Sequence, residues 1–363
     1  MSRFLNKRYI DFEAYEAGEQ PQDNEYIKLN TNENPFPPSP KVAKALEDFD
    51  VDSLRYYEDP MSTGLRKKLA EKFGLAPENI MPTNGSDDVL NYFFTAFGEI
   101  GKSQDDEPSF VFPDITYNFY EVLCGLHGIS YRTIPLEGDM TIDPEKFMNA
   151  GASVVIANPN APTGIALPLS DIEKIVKSNK DNVVLIDEAY VDFGWESAVP
   201  LVSKYDNLIV CQTFSKSRSF AGGRLGYAVA NKALIQDLEK IRQSQSPYNV
   251  DGITLKLGEA ALDDEAYYKA NCETIKENRR YLRNALTELG FRVLPSSTNF
   301  LFAKHPDVDG AVMYEELKKR GILVRHFDHD RIRGYNRIAI GTREQVDTLI
   351  KTVSEIIKEK TGE

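Results

Sequence analysis

Between Cys211 and Tyr227 the chain reads Cys-Gln-Thr-Phe-Ser-Lys-Ser-Arg-Ser-Phe-Ala-Gly-Gly-Arg-Leu-Gly-Tyr. The apolar run 208–210 leads into Thr213, Ser215 and Lys216, and a segment of small residues leads on to Arg224 and a second apolar run. A lysine withdrawn from water loses hydration, its pKa falls, and its neutral amine can form a Schiff base with a carbonyl. Nearby hydroxyls and a guanidinium fork supply the donors that a phosphate needs. A reactive carbonyl and a phosphate occur together in pyridoxal phosphate. An exposed loop with solvated charges has the same local pattern, so the reading depends on what else the chain brings to this place.

Val183-Val-Leu-Ile-Asp-Glu-Ala-Tyr190 reads as an apolar strand ending on Asp187, and in open α/β sheets ligands lie beyond the carboxyl ends of strands. A carboxylate there can keep a pyridine nitrogen protonated, so that the ring stays an electron sink; otherwise Asp187 is a helix cap. Tyr190 can donate to the ring's phenolic oxygen. In Pro82-Thr-Asn-Gly-Ser-Asp-Asp88, Gly85 and Ser86 precede a helix whose free N–H groups can hold an anion, although Ser and Asp are also ordinary caps. Tyr117, early in a helix, offers a face to a flat ring or to the core. Asn158-Pro-Asn-Ala-Pro-Thr-Gly164 ends another strand, with an Asn in reach of the phenolic oxygen or a plain Pro-Gly turn. Arg325 closes one strand and Arg337 opens the next, where two guanidinium groups can bind a carboxylate or phosphate or remain solvated. His326, Asp328, His329 and Asp330 are only loosely spaced as metal ligands, and no metal is expected. GxGxxG, Walker A, GxSxG and HExxH motifs are missing.

Positioning these groups requires a large scaffold, and 363 residues supply it. The formal net charge of -13 disfavours nucleic acid or an anionic membrane as the main partner. Cys124, Cys211 and Cys272 are odd in number and far apart, which fits a reducing cytosol. The N-terminus lacks an apolar signal core, so a soluble, unprocessed cytoplasmic protein is expected. Strands near 109–112, 129–134, 153–157, 182–186, 207–212 and 225–230 alternate with helices at 87–97, 116–125 and 169–179, indicating an α/β fold with a mostly parallel covered sheet. Helices at 231–243, 252–261 and 264–289 lead to apolar segments at 292–294 and 300–303, a helix at 309–320, strands at 322–325 and 336–340, and a last helix from 343. The proline-rich stretch 29–40 is an ordered arm rather than helix or central strand. The expected divisions are an arm and first helix (1–50), a large domain (51–265) and a small α+β domain (266–363) that the arm joins.

In this order the pieces resemble the fold-type I pyridoxal-phosphate aminotransferases, and more narrowly the histidinol-phosphate aminotransferases. The resemblance rests on Leu29-Asn-Thr-Asn-Glu-Asn-Pro-Phe-Pro-Pro-Ser-Pro40, Thr83-Asn-Gly-Ser-Asp-Asp88, Phe214-Ser-Lys-Ser-Arg-Ser-Phe-Ala-Gly-Gly-Arg-Leu-Gly226 and Arg337-Ile-Ala-Ile-Gly-Thr342. It implies pyridoxal 5'-phosphate on Lys216, with Asp187 at the pyridine nitrogen, Tyr190 at the phenolic oxygen and Tyr117 stacked on the ring. The phosphate would be held by the backbone of Gly85, Ser86 and Asp87, by Thr213 and Ser215, and by Arg224. Tyr57 would reach the cofactor phosphate of a partner subunit, which implies a homodimer with shared sites. Tyr15, Arg325 and Arg337 would meet the acidic groups of the substrate. Where relatives carry Asn before Pro-Thr-Gly this chain has Ala161, which passes the ring contact to Asn160 or leaves it unmade; and Tyr57-Glu-Asp-Pro60 replaces the usual Tyr-Pro-Asp-Pro, which leaves Tyr56 as a second candidate. The implied reaction is transamination between histidinol phosphate and 2-oxoglutarate, a step of histidine biosynthesis. Transamination of aromatic amino acids and decarboxylation of a phosphorylated amino acid are the alternatives.

Overall fold

The computed structural model describes residues 2–22, 25–101 and 107–362. The arm carries a short strand, β1 (Ile27–Lys28), then α1 (Pro40–Glu47), which opens on a proline whose missing N–H would have no intrahelical partner there. α2 (Thr63–Phe73) ends at Gly74, whose φ of 66° is the left-handed conformation that closes helices.

Seven strands then build the large sheet: β2 (Ile80–Asn84), β3 (Phe110–Pro113), β4 (Tyr131–Ile134), β5 (Ser153–Ala157), β6 (Val184–Asp187), β7 (Leu208–Thr213) and β8 (Leu225–Ala230). Their order is β2-β8-β7-β6-β5-β3-β4. β8 runs against both neighbours, while the pairs from β7 to β4 are parallel. Helices α3 (Ser86–Phe97), α4 (Phe119–His127), α5 (Leu169–Ser178) and α6 (Lys232–Gln245) cover it. Successive strand side chains point to opposite faces, and the cores follow that rule. Val154, Ile156, Val184 and Ile186 join one apolar cluster, whereas Val155, Leu185 and Ile209 join another. Burial on both faces is why the strands read as unbroken apolar runs.

The strand β2 at 80–84, with Pro82 inside it, is not among those expected from the sequence. Proline is tolerated because β2 is an edge strand, bonded to β8 alone. Tyr117 also precedes α4 rather than lying within it.

Beyond α7 (Gly252–Leu262) and the long α8 (Glu265–Glu288) come β9 (Arg292–Val293), β10 (Phe300–Lys304), α9 (Gly310–Lys319), β11 (Ile322–Leu323), β12 (Arg325–His326), β13 (Asn336–Ala339) and α10 (Arg343–Thr361). The single strand expected at 322–325 divides at Val324, because β11 pairs in parallel with β1 of the arm while β12 joins the sheet β12-β13-β10-β9. Leu282, Leu286, Leu301, Leu317, Val346 and Leu349 form the core beneath it. The Thr342 side chain accepts from the Gln345 N–H while Gln345 accepts from Thr342, a reciprocal cap that starts α10.

One close approach ties the large sheet to the start of α3. A Cβ on Gly226 would stand 2.4 Å from the Ser86 nitrogen and 2.5 Å from the Gly85 carbonyl carbon. Gly226→Ala should therefore push the 84–86 turn off β8, with a loss of about 1–3 kcal/mol in urea unfolding. Unchanged stability would show that the turn does not need this contact.

Candidate active site

Strands β5, β6 and β7 end side by side, with Asp187 opposite Ala157 and Cys211. Asp187 is buried, its Oδ2 accepting from the Tyr120 hydroxyl at 2.8 Å and its Oδ1 from the Ala189 N–H at 3.2 Å. Burial pushes its pKa up to about 6, and the two donors pull against that rise. Glu188, which faces the other way, accepts from the Ser197 hydroxyl, the Ala198 N–H and Gln212 at 2.6, 2.5 and 2.7 Å, and burial raises it to about 7.

One strand over, Thr213 ends β7 and donates to the Ser215 hydroxyl oxygen at 3.0 Å, while the Ser215 N–H donates back at 3.1 Å. Lys216 follows, its Nζ 3.2 Å from the Thr31 carbonyl and 6.0 Å from the centre of the Tyr190 ring. The arm therefore crosses the site. Asn34 donates to the Lys216 carbonyl at 3.0 Å, and Asn32, itself buried, donates to the Tyr190 hydroxyl at 2.9 Å. Arg337 donates to the Asn30 carbonyl at 2.9 Å, and Asn299 to the Asn32 carbonyl at 2.8 Å. Sequence reasoning missed Asn32 and Asn34 as parts of the site. Their signal was the recurrence of asparagine at 30, 32 and 34 just before the prolines; the chain bends there, with Asn32 at φ 56°, a left-handed conformation that asparagine tolerates.

The start of α3 forms the third wall. Its cap residue Gly85 takes φ 77° and has no side chain to cap the helix, which leaves N–H groups of the first turn free of a capping side chain among the described residues. A Cβ on Gly85 would meet the Arg224 guanidinium at 2.6 Å, so glycine is what lets the arginine lie across the helix end. Arg224 and the Tyr117 hydroxyl both donate to Asp87, each at 3.2 Å. Uncapped N–H groups, the Ser215 hydroxyl and a guanidinium are a donor set for phosphate. The buried carboxylate beyond them suits a cationic ring nitrogen and Tyr117 a ring face, so these residues fit a phosphorylated pyridine.

Arg325 and Arg337 stand directly opposite each other on β12 and β13. Like charges so placed repel, and among the described residues neither has a carboxylate partner; the Arg337 Nε has no partner at all. Phe300 and Phe327 lie within 5.7 Å of these guanidinium groups. Tyr15 packs edge-on against Tyr117 at 6.1 Å, with its phenol pKa raised by burial against the opposing field of Arg337.

Two candidates stand apart. The Asn160 amide donates to the Ile115 carbonyl and to Thr163, both at 3.0 Å, and its oxygen accepts from Thr116 at 2.9 Å. A ligand contact from its N–H would have to displace one of these. Tyr57 is 79% exposed and stacks on Tyr248 at 4.4 Å, and among the described residues it has no bond to the other site residues. His326 and His329 belong to no cluster able to hold a metal among the described residues.

Comparison with known proteins shows the family of the chain. Residues 24–353 match the family described as aminotransferase class I and II. The chain belongs to that family. It is 44% identical to histidinol-phosphate aminotransferase 2 of Dechloromonas aromatica over 366 aligned positions, covering 100% of both chains. It is 45% identical to the histidinol-phosphate aminotransferase of Brachyspira hyodysenteriae, covering 99% of this chain and 100% of that one. The crystal structure of histidinol-phosphate aminotransferase from Sinorhizobium meliloti in complex with pyridoxal-5'-phosphate superposes with a TM-score of 0.84, covering 92% of this chain and 91% of that one, at 24% identity. A likeness at that identity establishes the fold alone. Among the described residues no helix is long and apolar enough to cross a membrane.

The raised Asp187 pKa has a sign that can be measured. Between the usual carboxylate value near 4 and about 6 the folded, ligand-free chain binds more protons at Asp187 than the unfolded chain does, so this residue's share of stability falls as pH rises through that window. Asp187→Asn should remove the decline. In the absence of added cofactor, the variant should gain on the order of 2 kcal/mol relative to wild type between pH 4 and pH 7. Parallel stability curves would contradict the burial penalty assigned to Asp187.

Proposed function

We propose that this chain catalyses the transfer of an amino group from histidinol phosphate to 2-oxoglutarate with pyridoxal 5'-phosphate, giving imidazole-acetol phosphate and glutamate. The observation that carries the reading is the full-length match to relatives named histidinol-phosphate aminotransferase, at 44% and 45% identity. The site supplies what that reaction asks of a protein. When bound, the cofactor acts as an electron sink for the carbanion formed at the substrate Cα.

The first task of the chain's own residues is holding. The N–H groups at Gly85, Ser86 and Asp87, the Thr213 and Ser215 hydroxyls and Arg224 would hold the phosphate. Asp187 would meet the ring nitrogen, Tyr117 would cover the ring, and Tyr190, steadied by Asn32 at 2.9 Å, would donate to the phenolic oxygen. Asn160 is the remaining candidate for that oxygen, at the cost of one bond it already makes.

The second task is proton transfer. The Lys216 amine would take the proton from the substrate Cα; help of this kind by a positioned base is worth about 10²- to 10⁴-fold. While free, the amine can rest on the Thr31 carbonyl, 3.2 Å away. The third task is choosing substrates. Arg325 and Arg337, opposed across two strands without a carboxylate, bind the substrate's phosphate or carboxylate, and Tyr15 closes the same side. One pair of guanidinium forks serves both a phosphorylated donor and a dicarboxylic acceptor.

The exposed Tyr57 supports a dimer in which it reaches the partner's phosphate group, and sedimentation should give twice the chain mass; a fully active monomer would contradict the shared site. The three-part division into arm, large domain and small domain belongs to the same reading. It is supported by the separate clusters under the two main sheets and by the pairing of β1 with β11.

Incubation with histidinol phosphate, phenylalanine and glutamate in turn, with the cofactor's absorption followed, tests the function. Histidinol phosphate should convert the cofactor to its amine form fastest, with glutamate appearing when 2-oxoglutarate is added. Faster conversion by phenylalanine would favour an aromatic aminotransferase, and carbon dioxide release from a phosphorylated amino acid would favour a lyase. Lys216→Ala should bind cofactor and lose steady-state turnover by at least 10²-fold; ordinary turnover by that variant would rule out Lys216 as the base.

A further inference from the structure

Tyr120 reads in the sequence as one more aromatic on an apolar helix, but its hydroxyl has a specific partner. The residue is fully buried on α4, with its ring centre 6.2 Å from Phe94, 5.8 Å from Phe112 and 5.7 Å from Tyr117. A tyrosine walled in by aromatics can satisfy its hydroxyl on any backbone carbonyl. This one donates to Asp187 Oδ2 at 2.8 Å. The Ala189 N–H holds the other oxygen at 3.2 Å, so the carboxylate is gripped from both sides and its plane is fixed.

The charges around Asp187 show what this grip is for. Asp87 at the start of α3 and burial itself both favour the neutral acid, whereas Lys216 beyond β7 favours the anion. Burial raises the pKa of both Tyr117 and Cys211; the field of Asp187 adds to the rise at Cys211, and for Tyr117 that of Asp87 adds more than that of Asp187. Tyr120 and the Ala189 N–H are the hydrogen-bond donors to the anion among the described residues, and Tyr120 is the one that a substitution can remove. Burial holds the phenol's own pKa well above its usual value, so it remains a donor at all working pH values.

Building on the function proposed above, we infer that Tyr120 is a positioning residue for the cofactor: its hydroxyl keeps Asp187 ionised and oriented toward the ring nitrogen, and so keeps that nitrogen protonated. A hydrogen bond to a charged group is worth enough for a change of about tenfold or more. Removing the donor makes Asp187 the stronger base, which draws the shared proton from the ring nitrogen toward the carboxylate.

Tyr120→Phe tests this on the purified full-length protein loaded with ring-labelled pyridoxal phosphate. Cofactor affinity by absorption titration and the ring-nitrogen NMR resonance are compared with wild type, with thermal melting as a check on folding. The expected result is affinity about tenfold or more weaker, a resonance moved toward that of the unprotonated ring, and little further change when Tyr120→Phe is added to Asp187→Asn. Weaker binding with an unmoved resonance would reduce Tyr120 to a packing residue and overturn the inference, as would wild-type values for both. If Tyr120→Phe does not fold, Tyr120→His, which retains a ring N–H donor, should leave the resonance near wild type; a resonance at the unprotonated position would overturn the inference. A wild-type protein that binds no pyridoxal phosphate would sink the functional reading itself, an outcome distinct from a silent Tyr120→Phe.

Discussion

Burying a carboxylate is expensive unless something charged or donating compensates for it, and this structure places Asp187 at the end of a central strand where both faces of the sheet are covered. Tyr120 and the Ala189 N–H compensate only in part, since the carboxyl remains raised to about 6. The remaining deficit is what a cationic ligand would repay. Much of the site can be seen as a frame around that point. β7 delivers Thr213, Ser215 and Lys216 beside it, and β8, the antiparallel strand, brings back Gly226 against the α3 turn so that uncapped N–H groups face the same cleft.

A second uncompensated charge lies on the opposite wall. Arg325 and Arg337 face each other across β12 and β13, and among the described residues neither pairs with a carboxylate, so a bound anion would relieve their repulsion. The arm joins the two walls. Its β1 strand adds to β11, Asn30 bonds with Arg337, Asn32 with Tyr190, and Asn34 with the Lys216 carbonyl. A shift of the β12-β13-β10-β9 sheet would thus be felt at Lys216 through a chain of hydrogen bonds.

The strands of the covered sheet were legible because burial on both faces leaves an apolar run in the sequence, and Asp187, Lys216 and Arg224 were legible because each interrupts or follows such a run. β2 was not, because Pro82 argues against a strand unless it is known to lie at a sheet edge, which is a fact of tertiary structure. The split at Val324 was hidden for the same reason: nothing local reveals that β11 pairs with an arm nearly three hundred residues earlier. Tyr120 was hidden because a buried tyrosine and a core phenylalanine have the same pattern, and only the partner of the hydroxyl separates them. The arm was read as ordered, but the roles of Asn32 and Asn34 depend on what they touch.

The claim on which all of this rests is that one lysine, Lys216, carries the cofactor in the cleft beside Asp187. Borohydride reduction of the protein loaded with pyridoxal phosphate, followed by proteolysis and peptide mass spectrometry, reads it directly. The account expects the reduced cofactor on the peptide containing Lys216 and no adduct there in Lys216→Ala. A label on another lysine, or none in protein shown to be folded, would contradict it.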